Sequence, residues 1–325
     1  MVLTGTAYYY HDAIRIYGHD LARDVWQLSL HNRNIARGLS QELGTPWYET
    51  GSLLLALNDT EAEDLERSAE AMLTDGIQAN FSYKDPLKRG FAASLTQPGD
   101  AGIHPVKLAQ ALAATCGAPV YEQSEVFGMQ PLPGGGMEVR SRRLTVRCRS
   151  VALCTNAYAP LMHPYFMGKV TPTRGQILCT EPIGVPLVGQ MCYGDYGYEY
   201  FRQLSDGRLL LGGWRHYFRE AEVGYEDRTT PDVQAGLEGF MARYFPEAVG
   251  ARITHRWSGT MGFSADGIPV VGSLPDMPDV YFAVGFTGHG LGFGFATAER
   301  LATHMLFGND LAWLDARRLD EVPKS

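Results

Sequence analysis

The sequence predicts an α/β fold in which an open-sheet domain is interleaved with an antiparallel β domain. Three observations predict it. Helical and strand-like runs alternate as far as Val170. From Thr171 onward, strand runs separated by turns dominate. An apolar strand at Val280–Val284 then passes through a glycine-rich turn into a last helix, returning the chain to the first domain.

The elements follow in order. Leu21, Val25, Leu28, Ile35 and Leu39 share a stripe that predicts one helix over Ala13–Leu43, stopped by Gly44. Glu49–Leu57 reads as a strand. Thr60–Met72 reads as a helix capped by Thr60, with Glu61 and Asp64 near its positive end. His104–Thr115 is a helix with Pro105 where a first-turn proline is tolerated. Pro119–Val126 predicts a strand, Met137–Arg140 and Leu144–Cys148 a hairpin, and Val151–Cys154 a further strand. Asp206–Gly207 marks a second hairpin. Asp232–Phe245 predicts a helix, and Trp257–Met261, Ile268–Val271 and Val280–Val284 predict strands before a last helix from Gly290 to about Leu306. The implied division puts residues 1–50, 103–170 and 273–325 in the open-sheet domain and residues 51–102 and 171–272 in the antiparallel one.

A chain of 325 residues suffices for one large core or two modest domains. Apolar residues at 45% and charged residues at 20% place it among ordinary globular proteins. A net charge of -8 disfavours nonspecific nucleic-acid binding. The cysteines Cys116, Cys148, Cys154, Cys179 and Cys192 form no C-x-x-C pair and have no zinc spacing, so no metal site is expected. Cys148, Cys154 and Cys179 lie in or beside apolar runs and read as buried thiols. The first residues carry no basic leader or apolar h-region. Val280–Ala298 is uncharged, but its glycines and His289 make it a strand, a turn and a helix start rather than a membrane span. The expectation is a cytoplasmic protein without a transmembrane segment.

The sharpest physical signal is DVYFAVGFTGHGLGFGFATAERLATHML. Gly285 ends the strand, and Gly288, Gly290, Gly292 and Gly294 follow into the helix. Glycine inside a helix costs about 1 kcal/mol relative to alanine. Close approach of the backbone to a partner compensates, and at a helix start that partner is an anion or a polarised ring oxygen. Tight packing of the helix on a sheet is the plain alternative. The spacing is not G-x-G-x-x-G, and no βαβ unit follows, so the segment fails as a free-standing dinucleotide fingerprint.

Four ordered stretches carry a family resemblance: VALCTNAYAP at 151–160, PTRGQILCTEP at 172–182, WSGTMGFSADGIPVVG at 257–272, and VYFAVGFTGHGLGFGFATAERLA at 280–302. Together with the DGRLLLGG hairpin they resemble the FAD-dependent oxidoreductases of the D-amino acid oxidase, glycine oxidase and sarcosine oxidase group. The TNAYAP and TRGQ wording is closest to the branch that includes gamma-glutamylputrescine oxidoreductase. The resemblance implies a Rossmann-like FAD-binding domain interleaved with a substrate domain whose antiparallel sheet roofs the flavin. It implies noncovalent FAD, since no cysteine matches a flavin attachment point near Met261.

Residue by residue, the resemblance implies main-chain contact to adenine at Val126 and places Thr155 and Asn156 by the pyrophosphate. Gly288, His289, Gly290 and Leu291 lie along the flavin ring, Gly259 and Met261 on the approach to it, and Gly175 and Gly285 among the cofactor contacts. The family opens with a strand–turn–helix–strand unit carrying G-x-G-x-x-G, and this sequence begins after it, short by about fifty residues. The FAD-binding domain is therefore expected to be incomplete, and the chain as written to bind FAD poorly. A truncated non-catalytic fragment or pseudoenzyme is the alternative.

The amino-acid oxidase branch often places an arginine where Met261 stands, gripping a substrate carboxylate. Met261 points instead to a primary or secondary amine, polyamine-like or N-substituted. Arg202 or Arg215 can restore the carboxylate role, and an amino-acid oxidase or dehydrogenase is the other reading. The expected chemistry is hydride transfer from the amine C–H to flavin N5, with oxygen or another acceptor completing the cycle.

The expected catalytic set is His289, Tyr198, Tyr200 and Met261. His289 is a hydrogen-bonding group at the ring or a structural histidine between glycines. Tyr196, Tyr198 and Tyr200 alternate, so they are expected to share a face, with Trp214 or Tyr217 opposite and Glu199 turned outward to the surface. Arg174 is expected in structural pairing or beside the flavin, and Asp266 capping a turn.

Overall fold

The computed structural model describes residues 1–320, and the chain divides into two compact units. The first comprises residues 1–33, 47–103 and 173–260; the second comprises residues 34–46, 104–172 and 261–325. Among the described residues no helix is long and apolar enough to cross a membrane.

The first unit is built on an eight-stranded sheet. Its order is Ile253–Ser264, Val170–Pro182, Arg208–Gly212, Glu199–Gln203, Met191–Gly194, Ser52–Ala56, Ala93–Gln97 and Asn80–Ser82. Met191–Gly194 runs parallel to Ser52–Ala56, and its other edge pairs antiparallel with Glu199–Gln203. The Asp206–Gly207 hairpin forms as expected, with Phe201 opposite Leu211. Its apolar face meets the helix Pro231–Tyr244, and Leu53, Leu55, Phe201, Leu211, Leu237 and Phe240 make up much of the core between them.

An ionic cluster is buried in this unit. Arg174 Nε donates to Glu222 Oε2 at 2.8 Å and Arg174 Nη2 to Glu222 Oε1 at 3.1 Å. Arg174 Nη2 also donates to Ala221 O, and Gln176 Nε2 to Glu222 and Thr230. Every polar atom of the Glu222 carboxylate thus has a donor, which is the condition for burying it. Arg174 has the structural pairing its sequence context suggested.

The second unit holds two three-stranded sheets. Val280–Val284 lies between Val270–Ser273, antiparallel, and Val151–Leu153, parallel. Val126–Pro131, Met137–Ser141 and Thr145–Cys148 form an antiparallel meander. Phe166, Val270, Leu274, Val280, Phe282 and Val284 form the core beneath. Asp266 accepts from Ile268 N and pairs with Arg318, so it does stabilise a turn.

Several expectations are corrected. The single helix over Ala13–Leu43 is two, Tyr10–Tyr17 and His19–Glu42, because Gly18 turns left-handed at φ 81° while its amide still bonds Ile14 O. The helix Asp59–Thr74 is capped by Asn58, whose side chain accepts from Glu61 N at 3.0 Å, not by Thr60. Asn58→Ala is expected to cost about 0.5–2 kcal/mol in urea denaturation; an equal loss from Thr60→Ala would contradict the assignment. No strand forms over residues 119–125. Gln123 there has φ 53°, which breaks extended pairing, and the strand starts at Val126. Cys179 and Cys192 are the buried thiols; Cys154 is exposed and Cys148 half-buried.

Candidate active site

In the second unit the glycine-rich turn is held by its own polar groups. The strand Val280–Val284 leads into Gly285 at φ 73°, Thr287 at φ 49° and Gly288 at φ 77°, and the helix Gly290–Phe307 starts two residues later. Thr287 N donates to Gly262 O at 2.8 Å, and Ser264 N donates to Thr287 Oγ1 at 3.1 Å. Asn156, itself left-handed at φ 45°, accepts from Gly285 N at 3.0 Å and Phe286 N at 3.4 Å. Two expected cofactor contacts, Asn156 and Gly285, thus bond each other and fix the turn.

Gly262 is what admits the Asn156 side chain. A Cβ there would lie 2.6 Å from Asn156 Oδ1 and 2.9 Å from Ala157 N. Gly262→Ala is expected to cost about 1–3 kcal/mol by overpacking. Thermal unfolding reads the loss, and flavin retained through gel filtration should fall with it.

The turn leaves the helix start open. Gly288 and Gly290 are exposed, and the N-cap His289 makes no side-chain cap. Thr287 O lies 3.0 Å from His289 Nδ1, so Nδ1 donates to that carbonyl. Thr155 Oγ1, beside Asn156, is buried with no hydrogen-bond partner. An uncapped helix N-terminus, exposed glycines and an orphaned hydroxyl are donors that suit polarised ring oxygens and phosphate. They fit the flavin dinucleotide expected from the sequence. Met261 reaches this turn, with its sulfur 3.8 Å from where a Gly288 Cβ would stand. Leu291 is half-buried in the first helical turn. Val126 lies in the separate meander sheet, opposite Ser141.

In the first unit the expected aromatic row is not a row. The strand starts at Glu199, so only Tyr200 of the three tyrosines lies in it. Tyr196 turns left-handed at φ 53°; its amide donates to Glu61, its hydroxyl bonds Asp64, and its ring stacks on Tyr9 at 5.3 Å. Tyr198 stacks on His216 at 4.3 Å, with the Arg215 guanidinium 5.2 Å from its ring centre. Tyr200 covers Gly212, where a Cβ would meet the ring at 2.4 Å, and burial pushes its hydroxyl up to about 12. Trp214, left-handed at φ 63°, packs against Gly236 and Tyr217. Burial lowers the pKa of both Arg215 and Arg202, so two guanidiniums are partly withdrawn from water here.

Glu199 is the largest departure. Alternation put it opposite Tyr200, correctly, but that side is the packed side: Glu199 is 0% exposed. Burial, then the Asp195 carboxylate, push it up to about 9. His216 Nε2 sits 2.9 Å from Asp195 Oδ2 and holds that carboxylate below its usual range. The available clue was Phe201, an apolar residue two positions on and therefore on the same face. Gly175 is buried mid-strand between Arg174 and Gln176, whereas Gly259 is exposed on its strand with open space beside it.

Solved structures share this fold. L-proline dehydrogenase from P. horikoshii superposes with a TM-score of 0.79 over 91% of this chain and 83% of its own, at 21% identity. Glycine oxidase from Geobacillus kaustophilus gives 0.76 over 90% and 82%, at 23% identity. At these identities the likeness is one of fold. Residues 2–304 match the family described as FAD dependent oxidoreductase (DAO), and the chain belongs to it. Gamma-glutamylputrescine oxidoreductase of Escherichia coli (strain K12) is 27% identical over 322 residues, covering 94% of this chain and 71% of the relative. FAD is the cofactor of this family, as the ordered motifs implied.

Proposed function

We propose that the chain oxidises the C–N bond of an amine that also carries a carboxylate, an amino acid or N-substituted amino acid. The observation that carries this reading is Arg215, a partly buried guanidinium beside Tyr198 and near Tyr200, with Arg202 two residues along the same strand face. A withdrawn guanidinium gains most from a bidentate carboxylate, and the aromatic faces suit an amine-bearing carbon chain. Family membership favours this wider reading over one limited to simple amines.

When bound, FAD supplies the N5 atom that accepts the hydride. The chain's own residues do the rest. The amides at the start of Gly290–Phe307 would stabilise negative charge on the ring oxygens, and the bond from His289 Nδ1 to Thr287 O holds the imidazole in place beside them. Thr155, Gly288, Gly290, Leu291 and Val126 of the second unit would hold the cofactor, and Gly175 and Gly259 of the first are carried as contacts by the resemblance alone. Tyr198 and Tyr200 orient the substrate. Burial of the bound amine would lower its pKa, so the neutral amine that can release a hydride is favoured without a dedicated base.

Met261 favours a second reading. It puts a thioether beside Gly288, where a carboxylate finds no partner, and suits a polyamine-like amine instead. An anaerobic panel separates the two: glycine, sarcosine, L-proline and D-alanine against putrescine and its gamma-glutamyl conjugate. Bleaching of the flavin band is the readout. The first reading expects the carboxylate substrates to bleach it fastest. Bleaching by putrescine alone would overturn that reading, and a protein that takes up no flavin would overturn both.

A further inference from the structure

The clasp formed by Asp195, Glu199 and His216 lies in the first unit, where one donor atom from each residue falls within 4.8 Å of the others. His216 Nε2 is 2.9 Å from Asp195 Oδ2, and His216 Nδ1 is 3.8 Å from Glu199 Oε1. Glu199 is 0% exposed, yet its Oε2 has no hydrogen-bond partner. His216 Nδ1 is also buried without one. A buried carboxylate oxygen and a buried ring nitrogen that both lack partners are costly to maintain and call for a group that serves both.

We propose that this clasp is a binding site for a divalent transition-metal ion of the zinc and manganese class. One imidazole and two carboxylates are a donor set for such ions, and too hard for copper(I). Zinc–nitrogen and zinc–oxygen bonds of about 2.0–2.2 Å let two ligands of one ion stand at most about 4.3 Å apart. One donor atom from each residue lies within 4.8 Å of the others, with His216 offering the ion a single ring nitrogen. Rotation of the Asp195 side chain, which is partly exposed at 20%, closes the remaining spread. Trp214 N donates to Glu199 Oε1 at 3.2 Å and orients the carboxylate from outside the ligand set.

The ion's work is mechanical. Asp195 and Tyr196 turn left-handed at φ 49° and 53° on one side of the clasp, and Trp214 at φ 63° on the other. Non-glycine residues in this region are strained, and a shared ion ties the two turns together. The stacked ring of His216 then fixes Tyr198.

The test uses the purified full chain, stripped with a chelator and dialysed near neutral pH against Zn²⁺, Mn²⁺ or Co²⁺ separately, followed by elemental analysis. One equivalent of Zn²⁺ or Mn²⁺ per chain is expected, with a rise in melting temperature. The Co²⁺ form should show a visible ligand-field band. His216→Gln should abolish uptake, and Glu199→Gln should weaken it by about ten-fold or more. Asp195→Asn serves if either variant misfolds, since Asp195 is nearer the surface. Failure of the wild-type chain to retain any of the three ions overturns the proposal. So does uptake that persists unchanged in His216→Gln, which would place the ion elsewhere.

Discussion

Arg174→Met is expected to destabilise the protein by about 3–5 kcal/mol. Arg174 and Glu222 are each only 1% exposed, and the guanidinium supplies two of the donors that the carboxylate receives. Methionine fills similar volume but leaves Glu222 with Gln176 and Thr230 alone, an incompletely compensated charge in a dry site. The double variant Arg174→Met, Glu222→Gln should recover most of the loss, because removing the charge removes the desolvation problem. Chemical denaturation followed by circular dichroism gives both values. An unshifted midpoint in the single variant would mean that the pair contributes nothing to folding.

The second large effect is on activity. Arg215→Met should lower kcat/KM for carboxylate-bearing substrates by about 10- to 150-fold, the equivalent of one charge-assisted contact worth about 1.5–3 kcal/mol. The loss should fall mainly on KM, because the carboxylate keeps its charge through hydride transfer and so binds alike in ground and transition states. Amines without a carboxylate should be nearly unaffected, so the ratio between the two substrate types is the diagnostic quantity. A uniform loss across both types would assign Arg215 to the architecture of the Tyr198 wall instead.

Where local chemistry decides structure, the sequence was readable. Asp206–Gly207 specifies its hairpin, because few dipeptides accept that turn. Pro105 fixes the start of its helix, and the glycines from Gly285 to Gly294 mark a strand passing through an open turn into a helix. Gly18 was missed because one glycine in a periodic pattern is compatible with continuation or with a break, and only its φ decides. Asn58 and Thr60 are both capping types, and the choice between them rests on which oxygen meets the Glu61 amide. The bond from Gly285 N to Asn156 was not anticipated, since it joins residues far apart in sequence.

By itself the sequence determined most of the elements, the family and its cofactor, because periodicity, turn residues and ordered motifs are written locally along the chain. Only the tertiary structure decided which side of the Glu199–Gln203 strand is packed. A period of two says that Glu199 and Tyr200 face opposite ways, but not which way lies the helix Pro231–Tyr244. Burial of Glu199 and its meeting with Asp195 and His216 depend on that packing, because the distances that set their electrostatics do not exist until the sheet is covered.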